Sequence, residues 1–274
     1  MILKNKTVII TGAGGGIGGT VAKTFAKEGC NVVLVDLANL DIISKELEGY
    51  DCEHIAIKVN ASKKEEVNKA IDTVLKRFSR IDILVNTAGI QGPLGPFADN
   101  DIDKWIETID VNLNGTVFFI KSVLPAMIKQ GCGKIVNFSG GGAFNPRPNF
   151  SAYATSKAAV VRLTETLAEE LKKYNIQVNA IAPGSVNTQM LKQALEAGPE
   201  VTGAAFYEKA KKQEKEGGDT PQLAADLISF LCSDGSYNLT GKTINAKLDH
   251  WREWDKEKIN KINESNSYTL RIIL

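Results

Sequence analysis

Tyr153 and Lys157 stand four residues apart in the run Ser151-Ala-Tyr-Ala-Thr-Ser-Lys157. On a helix, that spacing puts both side chains on one face. A free tyrosine ionises near pH ~10 and is too weak a base at neutral pH. An ammonium beside it favours the phenolate, so the pair has the makings of an acid/base device. The same spacing also arises by chance on a half-buried helix. The pair acquires meaning only from what the rest of the chain places around it.

A second run that bears on chemistry is Thr11-Gly12-Ala-Gly14-Gly-Gly16-Ile17-Gly18. It lies between an apolar run that reads as a strand over 7–11 and a periodic segment that reads as a helix over 17–28. Glycines in such a turn let the backbone approach a pyrophosphate, and the helix N-terminus stabilises its charge. The next strand, over 31–36, ends at Asp36, a carboxylate able to accept hydrogen bonds from adenosine ribose hydroxyls. It would repel a 2′-phosphate. No Lys or Arg stands inside the glycine turn, and Leu37, Ala38 and Asn39 follow the aspartate. NAD is therefore favoured over NADP.

The elements that must position these residues follow one pattern. Further strands are expected over 54–59, 82–86, 134–139 and 177–182, with a seventh over 242–248. Helices are expected over 64–78, 103–129, 152–174 and 222–233, the last with Thr220 as N-cap and Pro221 in its first turn. The strands are short, rich in Val and Ile, and apolar on both faces, as in a parallel sheet covered by helices. Repeated βα units imply a Rossmann-like, doubly wound α/β sheet with ligands at the carboxyl ends of its strands. Residues 189–218, polar and glycine-punctuated, read as one or two mobile helices. The chain divides into one domain over 1–249, with a lid at about 187–218, and an extension over 250–274.

With 274 residues and 43% apolar content, the chain can bury a large core. A net charge of +1 argues against nucleic acid or an anionic membrane as partner. The four cysteines Cys30, Cys52, Cys132 and Cys232 lack a CxxC pair and read as reduced cytosolic thiols. A strand pattern follows Met1 at once, and no apolar run reads as membrane-spanning, so a cytoplasmic protein is expected. His54 and His250 lie too far apart, without ligand-like neighbours, to suggest a metal.

Taken together, the chain resembles the classical short-chain dehydrogenase/reductase family over about residues 5–245. The resemblance rests on the glycine turn, Asn86-Thr-Ala-Gly89, Val111-Asn112, Lys134-Ile-Val-Asn-Phe-Ser139, Tyr153-x-x-x-Lys157 and Pro183-Gly-Ser-Val-Asn-Thr188, in order and spacing. It implies that Gly12, Gly14, Gly16, Ile17 and Gly18 cradle the dinucleotide and that Asp36 and Leu37 bind its ribose. Asn60 with Ala61 would meet the adenine, Asn60 standing where the family usually has an aspartate. Asn86, Ala88 and Gly89 would line the adenine-ribose side and steady the sheet. Pro183, Gly184, Val186 and Thr188 would position the nicotinamide. Tyr153 would exchange the proton, and Lys157 would bind the nicotinamide ribose and lower the tyrosine pKa. Asn112 would help hold a water in a proton relay. The family's dimers and tetramers imply a homodimer or homotetramer.

One departure stands out. The family's substrate-polarising serine lies thirteen residues before the tyrosine, where this chain has Gly140. Three readings follow: Ser139 takes that role, backbone N–H groups of the glycine run replace it, or the site is crippled. The following loop, Phe144-Asn145-Pro-Arg147-Pro-Asn149-Phe150, suggests a polar or anionic small molecule as substrate, such as a sugar, polyol or hydroxy acid. The resemblance thus implies an NAD-dependent oxidoreductase of secondary alcohols and ketones. A ketoacyl-type NAD(P)H reductase and a non-catalytic dinucleotide-binding protein are the alternatives. The tail, with Trp251 and Trp254, a short helix over 256–263 and an apolar end over 269–274, is expected to pack on its own domain or on a neighbouring subunit.

Overall fold

Seven apolar runs pair in parallel into one sheet, in the order β3-β2-β1-β4-β5-β6-β7. The computed structural model describes residues 3–270. The strands are β1 (Thr7–Thr11), β2 (Asn31–Asp36), β3 (His54–Lys58), β4 (Ile83–Asn86), β5 (Gly133–Phe138), β6 (Ile176–Ala182) and β7 (Thr243–Asn245). The first helices are α1 (Gly16–Lys27), α2 (Leu40–Leu47), α3 (Lys64–Phe78), α4 (Ile102–Ile109), α5 (Gly115–Gln130) and α6 (Ser151–Leu171). Beyond β6 come α7 (Gln189–Ala197), α8 (Pro199–Thr202), α9 (Ala204–Glu216), α10 (Pro221–Cys232) and α11 (Lys256–Glu264).

Alternate side chains leave opposite faces of a strand, so a strand that is apolar throughout needs cover on both. Ile9, Val33, Leu84, Ile135 and Val178 pack against α3, α5 and α6 through Ile71, Val123 and Leu171. Their neighbours Val8, Val32, Ile83, Val136 and Ile181 pack on the other face against α1 and α10 through Phe25 and Leu227. Each such side chain, once fully buried, contributes about 1.5–3 kcal/mol. Strand order reverses between β1 and β4, and the crevice outside their carboxyl ends is where such a sheet binds ligands. A hydrogen bond from Ala88 N to Thr11 Oγ1 (3.1 Å) joins the two strand ends there.

Several expectations need revision. Helix α2 was not foreseen; it is short and opens from Asn39 in the left-handed conformation, φ 59°, without a side-chain cap. The helix expected over 103–129 is interrupted by a π-turn at Asp110–Asn114. The whole run Ile102–Gln130 is long and apolar enough to cross a membrane, which the sequence reading did not credit. Here it is a core helix, with Phe119, Ile120, Val123 and Met127 buried against the sheet. The lid segment forms three helices, because Gly198 (φ 81°) and Gly203 (φ 87°) break it where other residues are strained. Strand β7 stops at Asn245, whose side-chain oxygen accepts from Lys247 N (3.0 Å) and Leu248 N (2.9 Å) in a turn.

In the tail, Trp251, Trp254, Ile259 and Ile262 join the same core as α1 and α10. Thr243 N donates to Tyr268 O (2.9 Å), so the tail covers the outer edge of β7. Of the apolar end, residues 271–274 lie outside the described residues.

Candidate active site

The glycine turn is built from close backbone approaches. A Cβ at Gly14 would sit 2.1 Å from Ala38 O, and one at Gly18 2.2 Å from Gly12 O. Gly12 has φ 67°, and a Cβ there would meet Ala88 N at 2.8 Å. Gly16 differs, since a Cβ on it would meet nothing within 4 Å. It borders open cleft at the start of α1, and α1 has no side-chain cap to use up its first N–H groups. A helix N-terminus left free beside a cleft is an anion site, so these residues fit the pyrophosphate of a dinucleotide.

Asp36 stands at the end of β2 on the same cleft. Its Oδ2 accepts from Gly14 N (2.9 Å) and its Oδ1 from Leu37 N (2.6 Å), which fixes the carboxylate on the turn. Oδ1 also accepts a long bond from Ala38 N (3.4 Å), while Oδ2 keeps a further lone pair for a ribose hydroxyl. Leu37, Asn60, Ala61, Ala88 and Gly89 line the cleft as well. The Asn60 oxygen is spent on Ser62, at 3.0 Å to its N and 2.8 Å to its Oγ. Asn86 and Gly14 do not reach the cleft lining. Asn86 is buried, and its Nδ2 donates to Asn137 Oδ1 (2.9 Å) on β5, so its part is to steady the sheet.

From β1 and β2 the cleft runs across the sheet to Tyr153 and Lys157 on α6, enclosing about 1200 Å³. That exceeds the pocket of a single small ligand. Lys157 is buried, and its Nζ donates to Phe138 O (3.0 Å) at the end of β5. Burial pulls the lysine down to about 8, still protonated at neutral pH. Its Nζ lies 5.6 Å from the centre of the Tyr153 ring. Desolvation pushes the Tyr153 phenol above its ordinary value, and the charge that opposes this is Arg147. The resemblance implied that Lys157 lowers the tyrosine pKa; here the charge that does so is Arg147.

Arg147 comes from the loop between β5 and α6. Its guanidinium carbon lies 4.0 Å from the centre of the Phe150 ring, 5.0 Å from that of Phe206 and 5.5 Å from that of Tyr153. Phe206 belongs to α9 and packs in a tilted pair with Phe150, ring centres 4.7 Å apart, so the lid touches the loop that carries Arg147. The glycine run makes the room. A Cβ at Gly140 would sit 2.6 Å from the Tyr153 hydroxyl, and one at Gly141 would sit 2.8 Å from Arg147 Nη1. The position of the family's serine is thus occupied by the tyrosine hydroxyl itself. Ser139 is buried on the cleft wall, and its Oγ has no hydrogen-bond partner among the described residues.

Asn112 sits in the π-turn, a local form often found at functional sites. Its Oδ1 accepts from Ile90 N (2.8 Å), while its Nδ2 donates to Ile90 O (2.9 Å) and Ser156 Oγ (3.0 Å). Ser156 Oγ in turn donates to Tyr153 O (2.7 Å). Three of the amide's four hydrogen-bonding positions are thus used in tying the loop after β4 to α6, and the side chain does not line the cleft. Through Ser156 its side chain is linked to the backbone of Tyr153.

Pro183, Gly184, Val186 and Thr188 line the cleft beyond β6. Gly184 (φ 89°) has Asp219 Oδ2 where a Cβ would point, at 2.7 Å. Asp219 accepts from Ser185 N (2.8 Å) and pairs with Lys247 Nζ (2.7 Å), which pins this loop to the base of the lid. Sequence reading passed over Asp219 and Phe206, because both lie in a segment whose periodicity carries no strong signal.

Comparison with known proteins agrees with this geometry. The family model for short chain dehydrogenase matches residues 6–198. The chain is 36% identical over 246 residues to the 3-oxoacyl-[acyl-carrier-protein] reductase FabG of Thermotoga maritima, covering 89% of this chain and 97% of that protein. It is 38% identical over 242 residues to the oxidoreductase UcpA of Salmonella typhimurium, covering 87% and 92%. Among solved structures, an NAD+-bound xylitol dehydrogenase superposes with a TM-score of 0.83 at 29% identity, covering 89% of this chain and 98% of the other. An NADPH-bound actinorhodin polyketide ketoreductase superposes with a TM-score of 0.79 at 28% identity, covering 88% and 95%.

Proposed function

The chain belongs to the short-chain dehydrogenase/reductase family, and from that premise we propose that it interconverts a secondary alcohol and a ketone on a small polar metabolite with NAD as coenzyme. Membership makes it an NAD(P)-dependent oxidoreductase acting on CH–OH or keto groups. The observation that carries the finer reading is one continuous cleft with Asp36 at one end and Tyr153 and Lys157 at the other. Both NAD+-bound and NADPH-bound relatives superpose on the chain, so the preference for NAD rests on Asp36. A carboxylate at that position accepts from ribose hydroxyls and repels a 2′-phosphate.

The residues divide the work as follows. The open start of α1, Asp36 and the loop at Pro183–Thr188 hold the dinucleotide, which when bound supplies the two-electron acceptor or donor. In oxidation Tyr153 Oη, as phenolate, removes the hydroxyl proton; in reduction it returns it. Lys157, anchored on Phe138 O, turns its remaining N–H groups toward the ribose and adds charge that favours the phenolate. Ser139 Oγ, buried without a partner, donates to the substrate oxygen in place of the serine absent at position 140. Asn112 holds this arrangement in register. The family's oligomeric habit extends the proposal to a cytoplasmic homodimer or homotetramer, which light scattering would test.

A ketoacyl-type reductase is the second reading, favoured by the likeness to FabG. Purified protein assayed with NAD and NADP against polyols, sugars, hydroxy acids and a ketoacyl thioester separates the two. Turnover of polyols or hydroxy acids with NAD, abolished in Tyr153→Phe, is the expected result. NADH binding without turnover of any of these, and no difference in Tyr153→Phe, would leave a non-catalytic dinucleotide-binding protein.

A further inference from the structure

Among the described residues Arg147 is a cation without a counter-ion. No carboxylate pairs with it among the described residues, and its one hydrogen bond, Nη1 to Gly141 O, is long at 3.5 Å. A guanidinium has five N–H donors in a planar fork, so most of its capacity is unspent. Phe150, Phe206 and Tyr153 surround it, and it borders the cleft. Partial burial disfavours its charge, pushing its pKa below the ordinary arginine value. Relief comes from a ligand that brings a negative charge to the edge of the fork.

The other charged groups on this part of the cleft support the same sign. Lys209 of α9 borders the cleft, as do Glu107 of α4 and Lys104 of α4, the last paired with Asp101 at 3.8 Å; among the described residues Glu107 makes no ion pair with Arg147. Lys157 lies beyond Tyr153 with its Nζ committed to Phe138 O. Gly140 and Gly141 are neighbours in the chain, and one abuts the tyrosine hydroxyl while the other abuts the guanidinium. The two functional groups therefore face the cleft within the span of a short molecule. Aromatic rings around the guanidinium leave its edge for a flat, two-oxygen ligand.

We propose that Arg147 is a carboxylate-binding, specificity-determining residue, and that the substrate is a short hydroxy acid whose carboxylate lies one or two carbons from the reacting carbinol. The inference rests on the alcohol–ketone reading above and narrows it from polar metabolites in general. The reaction stays balanced. The carbinol oxygen gives its proton to Tyr153, the carbinol carbon gives a hydride to NAD+, a ketone forms, and the carboxylate is untouched. Because Phe206 of the lid contacts Arg147, docking of the acid also favours closure of α9 over the site.

The test compares short 2- and 3-hydroxy acids with their amides and the corresponding diols, using NAD and the full-length chain. The acids should exceed their neutral counterparts in kcat/KM by about 10²-fold, the scale of one buried charge pair. Arg147→Gln should collapse that ratio, chiefly through KM, and Arg147→Lys should restore part of it while keeping a cation among the rings. Equal turnover of acids and diols, or a ratio unchanged in Arg147→Gln, would overturn the assignment. A second readout needs no turnover. Propionate should bind the NADH-loaded protein and bind at least about 10-fold more weakly to Arg147→Gln, which is compared at matched thermal stability. Turnover of neutral alcohols alone sinks the carboxylate site but leaves the oxidoreductase. Arg147-dependent propionate binding with no turnover of any alcohol does the reverse.

Discussion

At the Asp36 end the cleft is made of backbone. Glycines at positions 12, 14 and 18 exclude a Cβ by approaches of 2.8 Å or less, and Asp36 is tethered to Gly14 N and Leu37 N. At the Tyr153 end the cleft is made of side chains drawn from separate segments: Ser139 after β5, Arg147 from a loop, Phe206 from the lid. The first end depends on strand ends and φ angles, so it tolerates little change. The second depends on side-chain identity, and there the chain leaves the family pattern, with Gly140 accommodating the tyrosine hydroxyl and Gly141 the guanidinium. Recognition of the coenzyme and recognition of the substrate are thus physically separable.

If they are, damage to one end spares the other. The largest effect expected is from Tyr153→Phe, which removes the proton-transfer group and should lower kcat by about 10³-fold. NADH affinity, followed by fluorescence titration, should stay within about twofold of wild type by the same separation. A matching loss of affinity would break the comparison. Ser139→Ala should lower kcat by about 10²-fold if its unspent hydroxyl donates to the substrate oxygen. Single-turnover rates read this directly, and a wild-type rate would hand the role to the backbone N–H groups of the glycine run.

Smaller effects come from the coenzyme end. Asp36→Ala should weaken NAD binding by about 10-fold, the scale of hydrogen bonds to a charged group, and narrow the preference over NADP. Kd values for both coenzymes measure it; equal NAD and NADP affinity already in the wild type would remove the argument from Asp36. The smallest effect concerns stability. Lys157 is held at about 8 in the fold against an ordinary 10.5. Between those values the unfolded chain binds more protons, so this group's contribution to stability rises with pH, by about 1 kcal/mol from pH 8 to pH 9. Lys157→Met should lose that rise, visible as a smaller difference in urea midpoint between the two pH values.

The α6 pair shows how far sequence reading reaches. Spacing alone places Tyr153 and Lys157 on one helix face, and they do share the cleft. The three apolar strands at 7–11, 31–36 and 177–182 likewise fall within a residue of their expected limits, because a both-sided apolar run has one way to be buried. Helix α2 escaped notice because it has only eight residues and opens from a left-handed Asn39 without a side-chain cap, although Leu40, Ile43 and Leu47 recur at helical spacing on its buried face. The π-turn escaped because the partner its Asn112 binds, the backbone of Ile90, lies in another part of the chain.

The amino-acid sequence by itself determined the parallel sheet, the glycine turn, Asp36 at a strand end and the Tyr153–Lys157 face. These depend on periodicity and local backbone geometry, which neighbouring residues encode. Only the tertiary structure decided what stands opposite the tyrosine. Arg147, Phe206 and Ser139 lie on three different segments, and no local pattern says that their side chains converge. Whether Gly140 is a missing hydroxyl or the space that admits Tyr153 depends on a 2.6 Å approach across the fold. Residue types propose chemistry, but close packing of distant segments sets which charge faces which group.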